Sequence, residues 1–180
     1  MSEAWFNFAI IISTQFLFLV SHACYEKRFF DIPRLLGLGI LSGAVLGLLS
    51  DIVFGKFLGL WSYTLGFGLS FLLVNAVLLY GLFAAHVLLM QRVRLLHFIV
   101  WVLASGVVFE ASNYYFPLWT YHFFDATYWI IPVIVPPVEL LIAVSAGYVA
   151  TAFTIATIAH VFLGHRFSLI ERCMNRKSII

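Results

Sequence analysis

Asp51, Glu110 and Glu139 are the residues of this 180-residue chain best placed to do chemistry. Each falls inside a long apolar stretch. An ionisable side chain there costs roughly 2.5–3.5 kcal/mol at a helix centre on insertion scales, and less toward the interface. Burial and a like-charged neighbour are what keep a carboxylic acid protonated. Three acids at one depth therefore suit a general acid paired with a stabilising anion. The plainer roles are an acid open to water at the interface, or one hydrogen-bonded to Asn or Tyr between helices.

The residues near these acids are aromatic to an unusual degree. They include Trp61, Tyr63, Phe109, Tyr114, Tyr115, Phe116, Trp119, Tyr121, Phe123, Phe124, Tyr128 and Trp129. Aromatic faces attract cations through their quadrupole, so such a lining holds a carbocation without quenching it. Interface anchoring accounts for many of the same residues. Trp61, Tyr63, Asn75, Asn113, Trp119, Tyr121 and His122 are the candidate substrate contacts. No cofactor and no metal are expected. The chain lacks HExxH, an Asp-rich diphosphate motif, a Gly-rich nucleotide loop and a Ser-His-Asp set. A metal held by Asp51, Glu110, Glu139 and His122 is the lesser possibility.

The elements that must position these residues are set by composition. Hydrophobic residues make up 63% of the chain and charged ones 10%, and mean hydropathy is +1.05. A chain this short cannot bury that much apolar surface in its own core, which excludes a soluble domain, a disordered chain and a nucleic-acid binder. The only two cysteines, Cys24 and Cys173, make up no disulfide framework and no metal-ligand spacing. The chain reads as all-α, a multi-pass bundle in the cell membrane. About 20 mostly apolar residues are needed per span, and five segments qualify: 4–23, 32–55, 65–90, 95–116 and 137–163. Glu3 stands where a secretory signal needs a positive charge, so the first segment is expected to be retained. Nine of the ten Lys and Arg residues then share one side, and Lys56 alone takes the other. By the positive-inside rule the N-terminus is outside and the C-terminus cytosolic. The whole of 1–180 forms one transmembrane domain.

Two outer connections look alike. Gly47 precedes Asp51 by four positions, and Leu60-Trp61-Ser62-Tyr63 follows; Gly106 precedes Glu110 by four, and Leu118-Trp119-Thr120-Tyr121 follows. Each copy is a helix, an outer loop and a helix, which predicts a parallel internal repeat with units at about 35–90 and 95–163. Gly39, Gly43 and Gly47 form a small-residue row leading to Asp51. Such rows bring helices close, so Asp51 should face a neighbouring helix, within the chain or across a homo- or hetero-dimer. Glu139, Ala143, Gly147 and Thr151 predict the same of the fifth helix. His22, His97, His160 and His165 read as interfacial.

An acid, then Trp-x-Tyr, then Pro-x-Glu opening the next helix resembles the small membrane-embedded lycopene cyclases of the heterodimeric type. Glu110, Trp119, Tyr121, Pro137 and Glu139 carry the resemblance in the second half, and Asp51, Trp61 and Tyr63 in the first. It covers roughly residues 35–150. Leu140 stands where that family has a second Glu, and the first half has Asn75 in place of Pro-x-Glu. The resemblance implies proton-initiated cyclisation of a carotenoid or other isoprenoid, with Glu139 or Glu110 as acid and Asp51 as stabilising carboxylate or base. The alternatives are a related acid-driven isomerase or hydratase, and a non-enzymatic binding or transport protein for a small hydrophobic or cationic ligand.

Overall fold

Apolar chain in lipid must satisfy its own peptide groups, and helices do so within one segment. The computed structural model describes residues 3–90, 93–122 and 138–167, leaving aside the side chains of 138–143. It is mostly helical. Among the described residues five helices are long and apolar enough to cross a membrane: Glu3–Tyr25, Phe29–Phe57, Leu69–Leu89, Leu95–Tyr115 and Val144–Phe162. The first is α1 (Glu3–Tyr25). The second opens with a 3-10 turn and becomes α2 (Ile32–Ser50), with Pro33 in its first turn, where no N–H is missed. It then widens into a π-helical stretch, Asp51–Phe57. The third is α3 (Leu69–Asn75), a π turn at Ala76–Tyr80, and α4 (Gly81–Leu89). The fourth and fifth are α5 (Leu95–Tyr115) and α6 (Val138–Phe162).

Span three is the centre of the bundle, and every residue of α4 is buried. Glycines on α2 explain how α2 packs on it. A Cβ at Gly39 would meet the carbonyl oxygen of Gly81 and the backbone of Ala85, and one at Gly43 would lie 2.8 Å from the Ala84 Cβ. The glycine row is thus an intrachain contact, and Asp51 at its end is fully buried. Helix α1 packs on α5 and α4, and α6 on α5, α4 and α2.

The sequence reading needs correction at several points. The third helix starts at Leu69, not 65, because Gly66 takes a φ of +71° and Gly68 is extended. The fold is not purely helical. Trp61–Tyr63 (β1) pairs antiparallel with Trp119–Tyr121 (β2), in the register Trp61↔Tyr121, Ser62↔Thr120, Tyr63↔Trp119. The small-residue row of the fifth helix does not pack as the α2 row does. Gly147 is exposed, and a Cβ on it would meet nothing within 4 Å. His22 is buried rather than interfacial. Its Nδ1 lies 2.6 Å from His86 Nε2, and its ring stacks on Trp101 with centroids 3.9 Å apart. His165 is buried too, with Nε2 donating to the Leu88 carbonyl at 3.1 Å. The aromatic loop containing Asp125, Tyr128 and Trp129, and Pro137, lie outside the described residues.

Candidate functional site

Each glycine four positions before an acid seats a tyrosine from another helix. A Cβ at Gly47 would run into the ring of Tyr80. With only hydrogen there, Tyr80 lies against α2 and its hydroxyl donates to Asp51 Oδ1 at 3.1 Å, one turn further on. Tyr63, delivered by β1, donates to the same oxygen at 2.8 Å. Asn75 Nδ2 donates to Asp51 Oδ2 at 2.9 Å and to the Tyr63 hydroxyl at 3.1 Å.

The second acid has the same arrangement. A Cβ at Gly106 would sit 2.9 Å from Tyr148 Cδ2. Tyr148, reaching over from α6, donates to Glu110 Oε1 at 3.1 Å. Tyr121, delivered by β2, donates to Oε1 at 2.8 Å. The indole N–H groups of Trp61 and Trp119 are buried and bear on Asp51 and Glu110 respectively, short of hydrogen-bond geometry. Because the strands pair antiparallel about Ser62 and Thr120, Trp61 lies opposite Tyr121 and Tyr63 opposite Trp119.

Between the two clusters lies a cavity of about 420 Å³, within the ~300–1,000 Å³ usual for small-molecule sites. Its walls are Trp61, Tyr63 and Tyr80 from one cluster, Trp119, Tyr121 and Tyr148 from the other, and Phe54, Phe83, Phe109, Ser50, Thr151 and apolar residues between them. Asp51 and Glu110 stand behind this wall, joined to it by the tyrosine hydroxyls. Burial pushes the Tyr63 phenol well above its ordinary value, reinforced by Tyr80 and Asp51. Burial, and then Glu110, does the same for Tyr121. Both hydroxyls therefore keep their protons and act as donors.

The structure thus gathers Asp51, Trp61, Tyr63, Asn75, Glu110, Trp119 and Tyr121 around one cavity. Asn113 is used differently. Its Oδ1 accepts from the Leu118 and Trp119 N–H groups and its Nδ2 donates to the Trp119 carbonyl, which shapes the turn into β2. His122 lies exposed at the end of the ribbon, with Nε2 2.8 Å from Ser62 Oγ. Glu139 falls in the first turn of α6, and its side chain lies outside the described residues. Tyr80 and Tyr148 escape the sequence reading. Their only mark is that each stands on the helix following a Trp-x-Tyr string.

No family model, curated protein or solved structure matches this chain.

Proposed function

We propose that this is a multi-pass protein of the cell membrane that protonates and cyclises a lipid-soluble isoprenoid, in the manner of a lycopene cyclase. The observation that carries the reading is the duplicated acid–tyrosine–tyrosine cluster on the wall of an aromatic cavity. The matched Gly–acid–Trp-x-Tyr order of the two units is best read as a parallel repeat, one unit on each side of the cavity. Charge bias sets the N-terminus outside and the C-terminus in the cytosol.

The chemistry needs no cofactor. A proton from Glu139, or from Glu110 by way of a wall tyrosine that gives its own O–H proton to the substrate and takes the carboxyl's, goes to a C=C bond, whose π pair becomes the new C–H bond. The tertiary cation left behind is attacked by a second C=C, closing the ring. A carboxylate then takes a proton beside the new cation, and the released pair restores a double bond. The substrate is isomerised and the proton returned. Asp51, held by three donors, suits the role of stabilising carboxylate.

Expression in a lycopene-producing host, followed by pigment chromatography, tests the proposal. A cyclised product is expected, and its loss in folded Glu110→Gln or Glu139→Gln variants. Activity surviving both changes sinks the acid mechanism. The second reading is a binding or transport protein for a small hydrophobic or cationic ligand. In its favour, hydroxyls rather than carboxyls line the cavity. A chain that changes no pigment or lipid in the host but retains a co-purifying ligand decides for it.

A further inference from the structure

We infer that the cavity selects a hydrophobic cation: a positive centre in an apolar shell, whether a stable alkylammonium group or a carbocation of the same shape. The inference rests on reading this cavity as the ligand site, and not on turnover.

Asp51 is buried and Glu110 half-buried beside the cavity, and among the described residues neither has a cationic partner. The ion pairs among the described residues are His22–Glu26 and Arg28–Asp31, remote in sequence from both clusters. Buried carboxylates are stable when paired, so a cation arriving in the cavity supplies what the fold leaves out. Among the described residues, the cavity wall contains no Lys, Arg or His. Its large surfaces are the rings of Trp61, Trp119, Tyr80, Tyr148, Phe83 and Phe109.

The tyrosine hydroxyls decide between ligand classes. A carbonyl-bearing or anionic ligand needs donors from the wall. Here Tyr63, Tyr80, Tyr121 and Tyr148 all spend their O–H on Asp51 or Glu110, and the Trp61 and Trp119 indole N–H atoms are buried, so that only the Ser50 and Thr151 hydroxyls among the described lining remain to be offered. A phenol donating to a carboxylate also gains electron density in its ring, and the ring face is what attracts a cation. Each cluster thus converts one carboxyl into two electron-rich faces, and the same side chains keep the carboxylate from collapsing onto the cation. In the proposed cyclisation by Glu110, the proton relayed from the carboxyl through a wall tyrosine creates the anion and the cation together on opposite sides of this wall.

The test uses the full-length chain in lipid nanodiscs. Octyltrimethylammonium is titrated against its uncharged isostere, with a tert-butyl group in place of the trimethylammonium. Tryptophan fluorescence is the readout, since Trp61 and Trp119 line the cavity. The ammonium is expected to bind at least about tenfold more tightly than the isostere. The Asp51→Asn, Glu110→Gln double variant keeps the shape of both clusters and is expected to bring the two ligands to parity. If that variant fails to fold, Glu110→Gln alone is read and must lose part of the preference. Equal affinities in the wild-type chain overturn the inference, as does a preference that neutralising the acids leaves intact. Cation preference with no turnover of any isoprenoid removes the cyclase proposal and leaves this site standing. Turnover without cation preference removes this inference alone.

Discussion

The Asp51 and Glu110 clusters share a plan and differ in how firmly each is held. Asp51 is fully buried, uses both carboxyl oxygens and takes three hydrogen bonds. Glu110 is half-buried, and its two tyrosine bonds converge on Oε1. The backbone differs in the same sense. The Asp51 unit contains two π-helical stretches, one beginning at Asp51 and one ending at Tyr80, whereas α5 runs as α-helix through Glu110. The spacing from acid to Trp is ten in the first unit and nine in the second. A π turn spends one residue more per hydrogen-bonded loop than an α turn, so it absorbs the extra position and leaves Trp61 and Trp119 in matching places. The helix contacts differ too. Gly39, Gly43 and Gly47 clamp α2 onto span three, while Gly147 opens onto the cavity. One unit is built as a fixed wall and the other as the side with room to change.

The largest effect that can break this contrast is removal of the acids. Asp51→Ala strands three donors in the core, at about 1–3 kcal/mol for each buried group left unpaired. Glu110→Ala strands two, in a more open place. Unfolding of the purified protein in detergent should show Asp51→Ala as clearly the less stable, and equal losses would end the distinction. Gly47→Ala comes next. Its Cβ meets the stem of Tyr80, Cβ and Cγ included, whereas at Gly106 it meets the Tyr148 ring. Overpacking costs about 1–3 kcal/mol, and thermal stability should fall further for Gly47→Ala than for Gly106→Ala. Smaller again are the tyrosines. Tyr80→Phe and Tyr148→Phe each remove one bond, about 0.5–1.5 kcal/mol. Among the described residues, Asp51 retains Tyr63 and Asn75, while Glu110 retains Tyr121 alone. Ligand binding or turnover should therefore suffer more in Tyr148→Phe. The smallest effect concerns pH. Tyr63 and Tyr121 have folded values raised above 10.0, so their contribution is complete below pH 10.0 and is lost as pH rises beyond it. The Tyr63→Phe, Tyr121→Phe double variant should show a shallower alkaline loss of stability than the wild type.

Much of this was legible from residue order. Five spans follow from apolar length, and the glycine row placed Asp51 against a neighbouring helix, where it lies. The matched Gly–acid and Trp-x-Tyr strings led to both halves of the site. What stayed hidden depends on contacts between distant segments. Tyr80 and Tyr148 reach their acids across 29 and 38 positions, and nothing periodic marks them. The ribbon joins strands of three residues each, too short to stand out from aromatic loops. The Glu139-to-Thr151 row sets Ala143 and Gly147 at the same four-residue spacing as the α2 glycines, yet Gly147 faces open space. Small residues permit close approach without compelling it. His22 and His86 needed the crossing of two helices before their pairing was visible.

The ribbon also bears on how such a protein is assembled. β1 and β2 are joined by backbone hydrogen bonds about the Ser62–Thr120 pair, and that pairing makes no use of the covalent link near residues 90–94. Each side of that link carries its own glycine, acid, Trp-x-Tyr and seating tyrosine. A chain cut there would therefore present two fragments with complementary edges, able to reassemble from separate genes.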